Sequence, residues 1–459
     1  MSAPLSPPAP GQAVKPTGTG ATRAPEIAWR VAFAATAALP LVLIYSRAIG
    51  DGLLSLVAVL FLAVRIRTPS MTETRFGWAR TPWTALALVF WAWQIVTSLH
   101  AGNLHAIVES LVFVRLFVFI AAMEFWVLAT PAARRWFARA LALTALWVLA
   151  ECWQQIVTGT NMFGDPRWVA GEVTGPFWSP RAGSTWQMLA LPAFLPAIAW
   201  ALEREGRRTR LFGVAGLVLL VATQVLITQR MPTLLLGLSL VVTGLMLPRF
   251  RRPLLVAVLG GAVALALAPL ISPATWTRFV LEFTQQMEHF RATQYAQLFM
   301  RAGVMIAAHP WFGLGFDGFR AHCLEPQYLH NLSWISIPDP ASANGCSIHP
   351  HNYYLQAATN AGLPGLALFA ALGLAWLWRF GRGAVASPQR VALFAFLVTV
   401  LWPITSATSF YTLPNAGFAF VLIGWGLAEA RAGSAQAPRT MSAQAPRAMS
   451  AQAPRAMSA

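Results

Sequence analysis

Apolar runs of about 20 residues, separated by short clusters of arginine, proline and glycine, recur along the whole chain. A run of that length crosses the ~30 Å hydrocarbon core of a bilayer as one helix, at ~1.5 Å per residue. Twelve such segments are predicted, at 28–47, 52–66, 82–99, 105–129, 136–157, 184–202, 211–229, 231–248, 253–272, 352–378, 390–409 and 413–429. The expected fold class is therefore an all-α polytopic membrane protein with about twelve transmembrane helices and one large loop outside the bilayer. The chain divides into five regions: a polar N-terminus at 1–25, nine helices at 26–272, the large loop at 273–350, three more helices at 351–430, and a tail at 431–459. In the loop's first half, Trp276, Phe279, Phe283, Met287 and Phe290 recur at spacings of three and four. That is the stripe of a helix lying on the membrane surface or on the spans beneath, expected to be packed and catalytically silent.

Composition agrees with the pattern: 57% of the 459 residues are hydrophobic and 11% charged. The net charge of +17 would suggest nucleic acid in a soluble chain, but its distribution argues otherwise. If the N-terminus is cytoplasmic, 24 of the 33 basic residues fall on the cytoplasmic side of the predicted spans, as expected when cationic loops resist translocation. Both termini are then cytoplasmic, and nucleic acid is not expected as a partner. All eight histidines fall in the opposite loops. Residues 1–25 lack the features of a cleaved signal peptide, so the first span is expected to act as an uncleaved anchor. The tail repeats Ser-Ala-Gln-Ala-Pro-Arg from Ser434, Ser442 and Ser450, a composition that cannot build a core and is expected to be disordered.

Candidate chemistry sits outside the cytoplasm. Ile348-His349-Pro350-His351-Asn352-Tyr353-Tyr354-Leu355-Gln356 stands where the large loop gives way to an apolar span. An imidazole can take a proton from a hydroxyl near neutral pH, and the first turn of a helix offers unpaired amides that favour an anion. Arg230, Arg291 and Arg301 place guanidiniums on the less basic side, where topology gives no reason for them. Arginine suits bidentate phosphate contacts, and a snorkelling headgroup contact is the plainer alternative for each. His349 and His351 lack a third ligand beside them, so no metal site is expected. Gly313-Leu314-Gly315-Phe316-Asp317-Gly318 fits a dinucleotide-binding spacing, but no strand precedes it, and a tight turn is expected instead. Cys152 lies in an apolar span as a small core residue, whereas Cys323 and Cys346 share the large loop. An oxidising compartment would permit a disulfide there, the alternative being two unpaired thiols.

The run His309-Pro310-Trp311-Phe312-Gly313-Leu314-Gly315 with Phe319, the His349 to Gln356 run, and Gly362-Leu363-Pro364-Gly365 resemble the bacterial O-antigen ligase and O-antigen polymerase family. The resemblance covers the second half of the chain and the general architecture. It implies a glycosyltransferase of the bacterial inner membrane, resembling the GT-C architecture, with the large loop and active site on the periplasmic face. His351 looks like the family's essential histidine, and Arg230 and Arg301 look like its two arginines, with Arg291 as a rival for the second. Arg291, His349 and Asn352 would then contact substrate. The implied donor is an undecaprenyl diphosphate-linked glycan and the implied acceptor the lipid A core, with membrane lipids as surroundings and no metal, nucleotide or other cofactor. Polymerase and protein O-oligosaccharyltransferase are the alternatives within the superfamily, with ligase favoured over polymerase. A lipid or glycan transporter is the alternative outside it, for which only Arg115, with Glu109 and Glu124 on the same span, offers a hint.

Overall fold

A computed structural model describes residues 23–67, 76–404, 409–413 and 415–442. A helix stands at each of the twelve apolar segments: α1 (Arg23–Tyr45), α2 (Arg47–Arg67), α3 (Pro82–Ala101), α4 (Leu104–Ala122), α5 (Pro131–Thr158), α6 (Ala182–Glu203), α7 (Arg207–Leu226), α8 (Arg230–Met246), α9 (Arg251–Ala266), then α11 (Tyr353–Gly381), α12 (Pro388–Val400) and α13 (Asn415–Ser442). The large loop contributes α10 (Gln294–Ala308) and several shorter helical turns. Among the described residues there is no strand, only isolated bridges at Thr160–Pro166 and Leu332–Ile335. Among the described residues eight helices, α1–α7 and α11, are long and apolar enough to cross a membrane, and α8 and α12 are apolar but shorter. The last helix runs on through Ser442 into the repeat tail, and the expectations for residues 1–22 and 443–459 lie outside the described residues.

The boundaries reflect local chemistry. Asn103 caps α4 by accepting from the amides of His105 and Ala106, and Thr130 caps α5 through Ala133, with Pro131 at the first helical position where no amide is needed. Left-handed Gly102 and Gly159 end α3 and α5. Inside α6, Pro196 cannot donate to the carbonyl of Pro192, and Gln389 Nε2 takes its place at 3.0 Å. The spans share one core, in which Phe113 and Phe117 of α4, Phe420 of α13 and Phe410 just before α13 meet edge to face. Arg115 reaches Asp51 of α2 at 2.7 Å, so its mid-span charge is paired with another helix.

The large loop has a second, smaller core, in which α10 packs Leu298, Met305 and their neighbours against Phe319, Tyr328 and Ile337. It is pinned to the spans where α11 breaks. Ala361 and Gly362 leave helical geometry ahead of Pro364. The carbonyls this frees are all bonded: Thr359 O accepts from Leu314 N at 2.8 Å, Asn360 O from Gly315 N at 2.9 Å, and Ala361 O from Trp93 Nε1 at 2.8 Å, while Leu363 N donates to Pro310 O at 2.7 Å. Gly313 and Gly315 are left-handed, with φ of 63° and 80°. The glycine spacing is a turn docked on a helix break.

A π turn at Thr277–Leu281 interrupts the aromatic stripe. Phe283, Met287 and Phe290 are 38%, 50% and 44% exposed, as a stripe facing a membrane surface would be. The polar side of the same segment lines a cavity with Arg230 and Tyr295, and none of the five stripe residues does.

Candidate active site

Two helix starts converge beside a cavity of about 560 Å³ lined by Arg230, Arg278, His289, Thr293 and Tyr295 among others. Arg230 is the first residue of α8, and Thr293 caps α10, its hydroxyl accepting from Ala296 N at 3.4 Å. The first turns of two helices carry free amides and the positive ends of their dipoles, and two guanidiniums add full charges. Arg230 lies 4.0 Å from Glu282 and Arg278 pairs with Glu172 at 3.3 Å, while among the described residues Arg230 Nη1 and Arg278 Nε are buried with no hydrogen-bond partner. Burial pushes the Glu172 carboxyl above the usual carboxylate range, against the pull of Arg278 and Arg230. The cavity is thus arranged for an anion with several acceptor oxygens.

The His349–His351 pair adjoins Tyr295. The Tyr295 ring meets His351 edge to face, with centroids 5.7 Å apart and planes at 86°, and His351 stacks on His349 at 4.6 Å and 11°. His349 is buried. His351 is left-handed, with φ of 51°, a conformation uncommon outside glycine that histidine, like asparagine and aspartate, adopts more readily than most residues. Asn352 comes next as the cap of α11, accepting from Tyr354 N at 2.9 Å and Leu355 N at 3.0 Å and donating to Pro403 O at 2.5 Å. Its polar groups are therefore committed to starting the helix that presents His351.

The remaining arginines lie apart from this group. Arg301 is 1% exposed, and its guanidinium donates to the carbonyls of Cys323, of Pro340 at 2.8 Å and of Ser342 at 3.2 Å. It lines the cavity nowhere, and it binds together the segments that Cys323 and Cys346 also join as a disulfide with Cα atoms 5.3 Å apart. Arg291 is exposed between the cavity-lining His289 and Ala292 without lining the cavity itself. Sequence reasoning passed over Arg278, Glu172 and Tyr295. Arg278 had the same signal as Arg230, a cation on the less basic side; Tyr295 had none. Among the described residues no three His, Cys, Asp or Glu side chains are grouped so as to hold a metal ion.

No curated protein matches the chain. The model of the O-antigen ligase family matches residues 215–370, the stretch from α7 into α11 that holds both cavity arginines, Arg301, Tyr295 and the histidine pair, so this part of the chain is similar to that family.

Proposed function

We propose that the protein is an O-antigen ligase that moves a glycan from undecaprenyl diphosphate to a sugar hydroxyl of the lipid A core, at the periplasmic face of the bacterial inner membrane. The observation that carries this reading is the cavity where Arg230 and Arg278 meet two helix N-termini, separated from His351 by one aromatic ring. The family match over residues 215–370 supports the reaction class. The sidedness draws support from charge: Arg65, Arg134 and Arg379 gather where α4 and α13 meet, with Arg65 Nη2 on Phe125 O at 3.1 Å and Arg134 3.2 Å from Glu429, at the opposite ends of the helices from the cavity.

In this mechanism Arg230 and Arg278 hold the donor's diphosphate and offset the negative charge that grows on it as the bond from phosphate oxygen to anomeric carbon breaks. The acceptor hydroxyl oxygen attacks that carbon from the opposite side and inverts it. His351 takes the hydroxyl proton, and the undecaprenyl diphosphate leaves with the bonding electron pair. His349 supports the His351 ring, and Arg301 holds the loop that carries the site, a bracing role in place of the phosphate contact that the resemblance implies. The diphosphate is already a good leaving group, so no nucleotide is required.

The test is to supply purified protein with a lipid-linked glycan and either lipid A core or no second substrate. Glycan joined to the core supports the ligase. A longer glycan still on its lipid would make the protein a polymerase, and lipid movement without a new glycosidic bond would make it a transporter.

A further inference from the structure

We infer that Thr228 and Thr275 are positioning residues whose buried hydroxyl bond sets the spacing of Arg230 and Arg278, and so lets the cavity tell a diphosphate from a monophosphate. The inference rests on the reading of that cavity as the diphosphate site. Thr228 stands two residues before Arg230 and Thr275 three before Arg278, and both arginines line the cavity. The two threonines are fully buried, with their hydroxyl oxygens 2.7 Å apart.

The corner that carries Thr228 is strained. Its φ is 69°, in the left-handed region where a β-branched side chain is crowded, so the surroundings must hold it there. A row of polar contacts does so. The Thr275 hydroxyl donates to Ser272 Oγ at 2.9 Å, and Arg167 Nη1 donates to the same oxygen at 2.8 Å. Arg167 Nη2 donates to Ile156 O near the end of α5, at 2.9 Å. Beside this row Val173 N donates to Ile227 O at 3.1 Å. The row thus joins α5, the turn Pro273–Trp276 and the corner before α8. Arg278 follows in the π turn Thr277–Leu281, so the threonine pair ties together the roots of the two cavity arginines.

A diphosphate carries two phosphate groups at a fixed separation, and two guanidiniums grip both only when their spacing matches, whereas a monophosphate is satisfied by one planar fork. Holding the roots of both arms in place is therefore worth more to the diphosphate. The bond can also be cut cleanly. Leu226 O, 3.1 Å from Thr228 Oγ1, remains as its acceptor, and Ser272 keeps its bond to Arg167.

The test titrates the full chain in lipid nanodiscs with pyrophosphate and, separately, orthophosphate, and follows the melting temperature of each variant. Thr275→Val keeps the shape of the side chain and removes the hydroxyl. It should bind pyrophosphate about tenfold more weakly, the worth of one hydrogen bond to a charged group, and leave orthophosphate binding unchanged. Thr275→Ser should restore the wild-type ratio of the two affinities. Thr228→Gly cuts the same bond from the other side without straining the backbone, and should lower the ratio as Thr275→Val does. Added to Arg278→Ala, Thr275→Val should cost nothing further, because the arm it places is gone. An unchanged ratio in Thr275→Val or Thr228→Gly, equal weakening toward both anions, or an additive loss in the Arg278→Ala background would reduce the pair to an ordinary stabilising contact while leaving the anion site standing. Wild-type binding of pyrophosphate no tighter than that of Arg230→Ala would bring down the site reading, and the brace with it.

Discussion

At the scale of single residues, the backbone of His351 allows its chemistry to be separated from its fold. Asparagine tolerates the left-handed conformation that His351 adopts, so His351→Asn should fold and insert as the wild type does while losing transfer by at least about a hundredfold, the usual worth of a general base. Wild-type turnover in that variant would remove His351 from the reaction. The arginines divide by the groups they touch. Arg230→Lys and Arg278→Lys should lose most of the transfer activity, since an ammonium cannot reproduce the planar fork. Arg301→Lys should instead lower the melting temperature, because the guanidinium serves three carbonyls of the loop. The reverse result would restore Arg301 to the phosphates. Glu172 supplies a pH dependence whose sign is set by its raised pKa: the ionised carboxylate competes for Arg278, and protonation releases it. Anion binding should strengthen as pH falls through that raised pKa. Glu172→Gln should bind pyrophosphate more tightly at pH ~7.5 and lose most of this trend, which isothermal titration of both proteins across the same buffers would show. Sequence alone could mark Arg230 and Arg278 as misplaced cations, but that Arg301 is a brace depends on which carbonyls surround it.

At the scale of elements, the motifs in the second half of the chain are mainly joints. The His309 to Gly315 turn and the Gly362 to Gly365 break exchange backbone hydrogen bonds, which explains why glycines recur in both. A Cβ on Gly362 would lie 2.4 Å from the carbonyl oxygen of Trp311, at a φ of 66°. Gly362→Ala should therefore destabilise the protein by about 2 kcal/mol or more, from left-handed strain together with the clash. Thermal unfolding in detergent would check this, and an unchanged midpoint would show that the turn can separate from the helix. The Cys323–Cys346 bridge closes a separation of 23 residues over the same ground that Arg301 spans. Chain-entropy reasoning gives such a bridge about 3 kcal/mol. Hydropathy marked a segment at each of the long apolar helices, while Asn103, Thr130 and Asn352 fix where three of them begin. It gave no sign of the π turn that interrupts the aromatic stripe, nor of the cavity that the polar side of that segment lines.

At the scale of the whole molecule, the orientation expected from the arginine-rich loops would leave the two cavity arginines and the His349–His351 pair outside the cytoplasm. The prediction that belongs here is that transfer persists in excess EDTA with no nucleotide present, since the described residues bring no three metal-ligating side chains together and the donor brings its own leaving group. Activity lost on chelation and regained with magnesium would overturn the mechanism.

The sequence by itself determined the features that depend on near neighbours along the chain: which segments are apolar enough to be helices, and where arginine clusters interrupt them. These are local sums of transfer free energy and hydrogen bonding, and they can be read in order. Only the tertiary structure decided which cations share a cavity and which is spent on carbonyls, that Tyr295 lines the Arg230 cavity and touches the His351 ring, and that the glycine turn closes the break in α11. Each of these depends on contacts between residues far apart in the chain, such as Trp93 with Ala361 and Gln187 with Thr399, and no local spacing encodes them.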